Sequence, residues 1–528
     1  MNQNPLYAIE IHSVTLWEPT QVLPILQVMR RWGYNALVLH QNDLLDTCTQ
    51  LGLAANYGVS DLRLKKVRNN VAWLNRLVAE LKDFDARLFL EIKEPSLHDY
   101  ALEFYPGLLG DNGRPDPLRP DWPVFCRKKT EDLLDRVPDI GGLILNLSSP
   151  ESRVSMPDHL AATGGATGIS GWFDAMIAAF HEPLSVAGKD LYVRDFSYTT
   201  DMQSEVLAAV ARTGGGVGVS AKVTAHDYFP EFPENPGVRK ASQPLILEFE
   251  AFGEHMGWGV VPNCRVAEFR ERMFGYRDMG ANGLLMRVSW EAITGVTALD
   301  SLSAVNVYAP PRLAEGDCDA GLLVLNWLES SFGVVGETAK RAADLLIQSW
   351  RIPAAMYWDG KVFPRHSCLP STWREGWLSM ETSGMGRRDH DAPFDMTNAQ
   401  LDEAARRRLF ADKEAATALA NDLAERARVL APSLPAELAR QFEAFEWAPI
   451  IARQFELAIK ATFYAARGDA ADETALSEIR IELEDLADDL ERKLAEAGDL
   501  PHHHLVLFDP EQIRLFMNSL PDTLPQRS

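Results

Sequence analysis

The chain has 528 residues, 46% hydrophobic and 24% charged, values of an ordinary globular protein long enough for two domains or for one barrel with a large extension. Its net charge of −23 excludes nucleic acid and anionic membrane surfaces as partners, because binding polyphosphate needs a basic footprint. Five scattered cysteines with no CxxC pair argue against a disulfide framework or a zinc knuckle.

The first stretch, "MNQNPLYAIEIHSVTLWEP", has neither a basic n-region nor an apolar h-region, and no later run approaches ~18 apolar residues. A cytoplasmic location and no membrane contact are the expectation. In chain order, candidate strands are "LYAIEIH", "NALVLHQ" at 35–41, "RLFLEIK" at 87–93, "GGLILNL" at 141–147 and "LYVRDFSY" at 191–198. "GVGVSAKV" at 216–223, "LILEFEAF" at 245–252 and "GLLMRVSW" at 283–290 bring the number to eight. Amphipathic stretches such as 70–82 and 264–277 lie between them, so residues 1–325 read as an α/β (β/α)8 TIM barrel.

Residues 326–528 read as an α-helical C-terminal domain. Leu401, Ala405, Leu409, Ala416, Leu419 and Leu423 share one face over 399–430, and a second helix is expected over 436–467. A third carries Leu476, Ile479, Leu483, Leu486, Leu490 and Leu494. These stripes read first as intramolecular core and second as a homodimer surface through the C-terminal helices. Between the domains, 353–398 is rich in Trp, Pro, Arg and Gly, and reads either as a cover for the barrel mouth or as a plain connector.

A barrel of this kind places its chemistry at the C-terminal ends of its strands. Glu151 follows strand four, Asp227 strand six and Glu254 strand seven, while strand five ends near Arg194 and strand six contains Lys222. In "LILEFEAFGEHMGWG", Glu248 and Glu250 alternate with Leu247 and Phe249, which puts an acidic strand face opposite an apolar one. Carboxylates on separate strand ends, with cations among them and Trp258 and Trp290 nearby, suit a sugar site: acids transfer protons at the glycosidic bond and aromatic faces stack on the ring.

The residues also have plainer readings. Glu151 in "SSPES" suits a helix start, Asp227 a turn, and Glu254 a structural hydrogen bond. Arg194 and Lys222 could pair with Glu248 and Glu250 as barrel ion pairs. The Gly-rich "ATGGATGISG" at 162–171 does not open a βαβ unit, so a dinucleotide site is not expected, and "PHHHL" reads as an exposed turn. No HExxH or GxSxG occurs.

Several segments resemble glycoside hydrolase family 67, the α-glucuronidases. "DPLRPDWPVFCRKKTEDLLDRVPDIGGLILNLSSPES", "KVTAHDYF", "LEFEAFGEHMG", "GYNALVLHQND" and "NVYAPPRLAEGDCDAGLLVLNW" are similar to blocks of that family and cover roughly 30–330. The resemblance implies an inverting glycosidase with Glu151 as general acid and Asp227 and Glu254 as the pair that activates water. It implies Arg194 and Lys222 as contacts to a uronate on an oligosaccharide substrate, with no cofactor and no metal. It also implies departures: Asn146 stands where the family has a lysine, Pro150 shifts Glu151 by one residue, and the family's N-terminal β-domain has no counterpart. As an acid, Glu151 would work best with a raised pKa. The alternatives are a non-catalytic carbohydrate-binding barrel and an exo-glycosidase for a neutral sugar.

Overall fold

The computed structural model describes residues 5–521, apart from 52–60, 99–100, 164–168, 198, 225–226, 230–233, 236, 242, 278, 317, 355–356, 359–360, 364–365, 383–402 and 468–471. Much of the segment expected at 353–398, Leu401 and the centre of "ATGGATGISG" therefore lie outside the described residues.

Eight parallel strands close into a barrel in sequence order. They are β1 (Tyr7–His12), β2 (Ala36–His40), β3 (Arg87–Lys93), β4 (Gly142–Asn146), β5 (Asp190–Asp195), β6 (Gly218–Lys222), β7 (Leu245–Glu250) and β8 (Ala281–Arg287). Each matches its expected segment, because strands covered on both faces read as near-continuous apolar runs. Helices such as Asp61–Lys82, Asp121–Arg136 and Ile169–Val186 supply the crossovers.

The barrel interior has two chemically different halves. Leu6, Ala8, Ala36, Val38, Phe89, Ile144, Tyr192, Ile246 and Leu285 form one apolar cluster. Two residues further along each strand the same face turns polar: Glu10, His40, Glu91, Asn146, Arg194, Glu248 and Arg287 are all buried. A strand's period of two places these groups on the inward face. The acidic alternation of β7 is thus interior: Glu248 and Glu250 are both 0% exposed, which excludes a strand edge in water.

The chain divides into two compact units, one of 1–225, 234–250 and 272–295, the other of 226–233, 251–271 and 296–528. The second unit is mostly helical, with Ala304–Glu315, Ala320–Phe332, Gly336–Ser349, Glu403–Leu430, Ala448–Arg467 and Glu473–Ala497. Leu476, Ile479, Leu483 and Leu490 are buried along the last of these, while Leu486 and Leu494 of the same stripe are half-buried.

The single helix expected over 436–467 is corrected to Ala436–Phe442, a 3-10 turn Glu443–Glu446, and Ala448–Arg467. Pro449 explains the break, since proline fits a first helical turn but cannot continue an incoming helix. The "PHHHL" turn is also corrected: His502–Leu507 is a short helix and His503 is buried. No helix among the described residues is long and apolar enough to cross a membrane.

Candidate functional site

Inside the barrel unit, Arg194 is the centre of the polar layer. Its Nε donates to both oxygens of Glu248 at 3.0 and 2.9 Å, its other side binds Glu91, and Ser220 Oγ donates to Glu248 at 2.7 Å. A guanidinium presents a rigid fork of donors, which suits it to hold two carboxylates at once. These donors go to the barrel wall, so Arg194 braces the interior as the ion-pair reading expects. Burial, with the Glu10 and Glu248 charges adding to it against the Arg194 guanidinium, raises Glu91 to about 8.

Beside this pair, Glu10 accepts from Arg287 Nε at 3.2 Å and lies 2.7 Å from His40 Nδ1. His12 and His40 stack with ring centroids 3.7 Å apart. Burial first, and then the surrounding cations, hold both histidines well below their ordinary pKa, so the stack is neutral at pH 7. Ligand atoms of Glu10, His12 and His40 lie within 4.8 Å of one another, a donor set able to approach a metal. Arg287, Arg194 and Lys93 act on the same groups and oppose a divalent cation there.

At the end of β4 the structure adds a residue that sequence reasoning passed over. Lys93, the last residue of β3, is the register partner of Asn146 on β4. Its ammonium forms an ion pair with Glu151, with side-chain exposures of 2% and 32%. A lysine thus stands across the ladder from Asn146, on the neighbouring strand. The signal was present in "LEIKEP", a charged strand end of the kind sought on strands four to seven.

The pairing corrects one expectation. Burial favours a protonated Glu151, but the Lys93 charge and hydrogen bond outweigh it and lower the pKa below the ordinary carboxylate value. Glu151 N also donates to Ser149 Oγ at 3.1 Å in a local turn. Asn146 Oδ1 accepts from Ser148 N at 3.3 Å, while its buried Nδ2 has no hydrogen-bond partner among the described residues. Lys222 lies over the Phe196 ring, 4.1 Å from its centroid, and Trp290 is 8% exposed.

In the second unit, the segments after β6 and β7 meet. His255 Nε2 lies 3.0 Å from Glu254 Oε1 and 3.7 Å from Asp227 Oδ2, and all three side chains are at most 5% exposed. Burial alone would depress the imidazole, but the Glu254 carboxylate first, and Asp227 with it, lift it to about 9. At neutral pH it is a cation between two acids. These three residues also form a donor set within 4.8 Å, so they too could approach a metal. Sequence reasoning named both acids and missed the histidine that joins them.

The loop carrying Glu254 is tightly built. Gly257 has φ 91°, and a Cβ there would lie 2.8 Å from Val261 Cγ2, so a side chain is strained on both counts. Ser367 Oγ bonds the Glu254 carbonyl at 3.0 Å and receives Gly257 N–H at 2.8 Å. His366 and Ser367 themselves have φ values of 47° and 64°, and the His366 ring lies 5.4 Å from His255. Strained backbone of this kind persists where surroundings over-determine it, and it concentrates at functional sites. Within this unit, then, part of the 353–398 segment braces the acidic loop. Trp258, expected as a sugar platform, is 3% exposed and donates its Nε1–H to the Glu254 carbonyl at 3.0 Å.

A cavity of about 470 Å³ elsewhere in this unit is lined by Phe363, Cys368, Ser371, Glu375, His502 and Gln512, none of them a predicted site residue.

No protein-family profile matches the sequence, and no curated protein matches it. Among solved structures, the chain is similar to a GH138 enzyme targeting pectin rhamnogalacturonan II, with a TM-score of 0.67 at 11% identity. The match covers 93% of this chain and 62% of that one, so the chain spans less than two thirds of that enzyme. It also matches a β-N-acetylhexosaminidase from Bacteroides fragilis NCTC 9343, with a TM-score of 0.39 at 11% identity over 62% of this chain and 70% of that one. At such identities the GH138 likeness shows the fold, a TIM barrel with a helical C-terminal region. The structural neighbours are glycoside hydrolases of GH138 and GH20 type, and the family 67 resemblance stays one of sequence segments.

Proposed function

We propose that this protein is a glycoside hydrolase that removes a terminal uronic acid from an oligosaccharide by an inverting mechanism. The observation that carries the reading is the Asp227–His255–Glu254 cluster. Two buried carboxylates share one imidazolium, on the segments that follow β6 and β7 in the chain. That is an arrangement suited to orienting a water and accepting its proton. The fold likeness to an enzyme that acts on pectin, and the Lys93 and Lys222 cations in the barrel unit, support an acidic sugar as substrate.

In the proposed reaction, Glu151 gives a proton to the bridging oxygen as the bond from C1 to that oxygen breaks, its electrons passing to the oxygen. Water bonds to C1 from the opposite ring face and loses its proton to the Asp227–Glu254 pair. One observation favours a second reading, a uronate-binding barrel without catalysis: Lys93 keeps Glu151 ionised, and an ionised acid has no proton to give.

A panel of aryl glucuronides, aryl galacturonides and their neutral counterparts separates the readings. The hydrolase reading expects release of aglycone from a uronide. Uronate binding with no release from any member of the panel would favour the binding reading.

A further inference from the structure

The ion pair that speaks against Glu151 as an acid also suggests how it could become one. Lys93 carries three donor hydrogens on a side chain 2% exposed, and among the described residues its hydrogen-bond acceptor is Glu151. Directly across the ladder, Asn146 holds a buried Nδ2 without a partner among the described residues. A buried amide hydrogen left unmade is costly, so a donor held that way fits an acceptor that arrives with a ligand. Two donors at paired strand positions, one charged and one neutral, suit a carboxylate with two oxygens.

We propose that Lys93 and Asn146 form the seat for the substrate's carboxylate, and that its arrival draws the ammonium away from Glu151, which then takes up the proton it later donates. This rests on the uronide-hydrolase reading for its last step only. Without substrate, Lys93 holds Glu151 as a carboxylate. When the uronate enters, the ammonium turns to it, and Glu151 keeps its burial while losing its nearest cation.

Burial then favours the neutral form, and a proton from solvent binds Glu151. The other charged groups acting on Glu151 are Glu291, which favours protonation, and Lys222, which opposes it. The Lys93 charge also acts on the neutral pair His12 and His40, and His12 Nδ1 lies 2.9 Å from Glu291 Oε2. After the proton passes to the leaving oxygen, Glu151 is again a carboxylate, ready to re-pair with Lys93 as product leaves. A neutral sugar has no group to make the exchange, so the device selects for acidic sugars at the proton-transfer step as well as at binding.

The test uses the full chain with side-chain 13C-labelled glutamate, the Glu151 carboxyl signal being assigned by its loss in Glu151→Gln. Saturating D-glucuronate or D-galacturonate should move the Glu151 titration midpoint up by about one pH unit or more, while D-glucose and D-galactose leave it in place. Lys93→Met should raise that midpoint without ligand and weaken uronate binding about 100-fold, with Lys93→Arg recovering most of the binding. Asn146→Ala, which keeps every charge, should weaken it about 10-fold. Circular dichroism checks that each variant is folded.

The proposal is overturned if uronates fail to bind wild type, if they bind without moving the midpoint, or if folded Lys93→Met binds them as tightly as wild type. Failure of the hydrolase reading looks different: the uronate binds and the midpoint moves, yet no aryl uronide is cleaved.

Discussion

His255 lies between two acids that come from different segments of the chain, 3.0 Å from Glu254 Oε1 and 3.7 Å from Asp227 Oδ2. Charge in this cluster is two carboxylates against one imidazolium, which leaves a net negative site able to take a proton. Neutral isosteres at either acid remove that capacity with little change in shape. Asp227→Asn and Glu254→Gln should each lower kcat by about 10²–10⁴-fold while the thermal transition stays near that of wild type. Retention of near-wild-type kcat in both would remove them from the reaction.

The same histidine makes stability depend on pH. Its folded pKa of about 9 lies above the ordinary 6.5, so its contribution is complete below 6.5 and is lost as pH rises through 9. Glu91, raised from 4.5 to about 8, adds a decline of the same sign over a lower window. The share due to His255 is therefore the difference between wild type and His255→Asn. Denaturant melts at pH 6 and pH 9.5 should show a larger loss in wild type than in the variant. Equal losses would contradict the imidazolium.

General acid catalysis at Glu151 predicts a dependence on the leaving group. Glu151→Gln should slow cleavage of an alkyl uronide by about 10³-fold and of a dinitrophenyl uronide far less, because the second leaving group needs no proton. Equal slowing of both substrates would assign Glu151 to binding or structure instead.

Arg194 tests the barrel's interior. Replacing it with methionine leaves the Glu248 carboxylate buried without its cation and Glu91 without its hydrogen-bonding partner, and should cost about 3–5 kcal/mol in denaturant unfolding. Lysine should restore only part, since a point charge cannot serve both carboxylates with a planar fork. A loss below about 1 kcal/mol for the methionine variant would contradict the role given to this pair.

The barrel was legible because its strands carry the signal locally: "ALVLH" and "LILEFE" announce both their type and their inward face by period two. Strand ends were legible for the same reason, which is how Asp227 and Glu254 could be named. Lys93 is a strand end of the same legible kind, but its pairing with Asn146 was not legible, because the β3–β4 register joins residues 53 positions apart in the sequence. His255 escaped for a different reason. Periodicity ends with the strand, and in the glycine-bounded loop that follows nothing local says which neighbour of Glu254 turns toward Asp227.

Trp258 and Trp290 read as sugar platforms from composition, yet a tryptophan's large apolar area is as readily spent on packing, and both are nearly buried. The split of 436–467 hinged on Pro449, a break signal outweighed in the sequence by the apolar stripe around it.

The most direct test of the central claim, that paired acids hydrolyse a uronide by inversion, is proton NMR of the sugar first released from an aryl uronide. Wild type should release the uronic acid with its anomeric configuration inverted, and Asp227→Asn and Glu254→Gln should release none at a comparable rate. Release with retained configuration, or undiminished release by both variants, would contradict that claim.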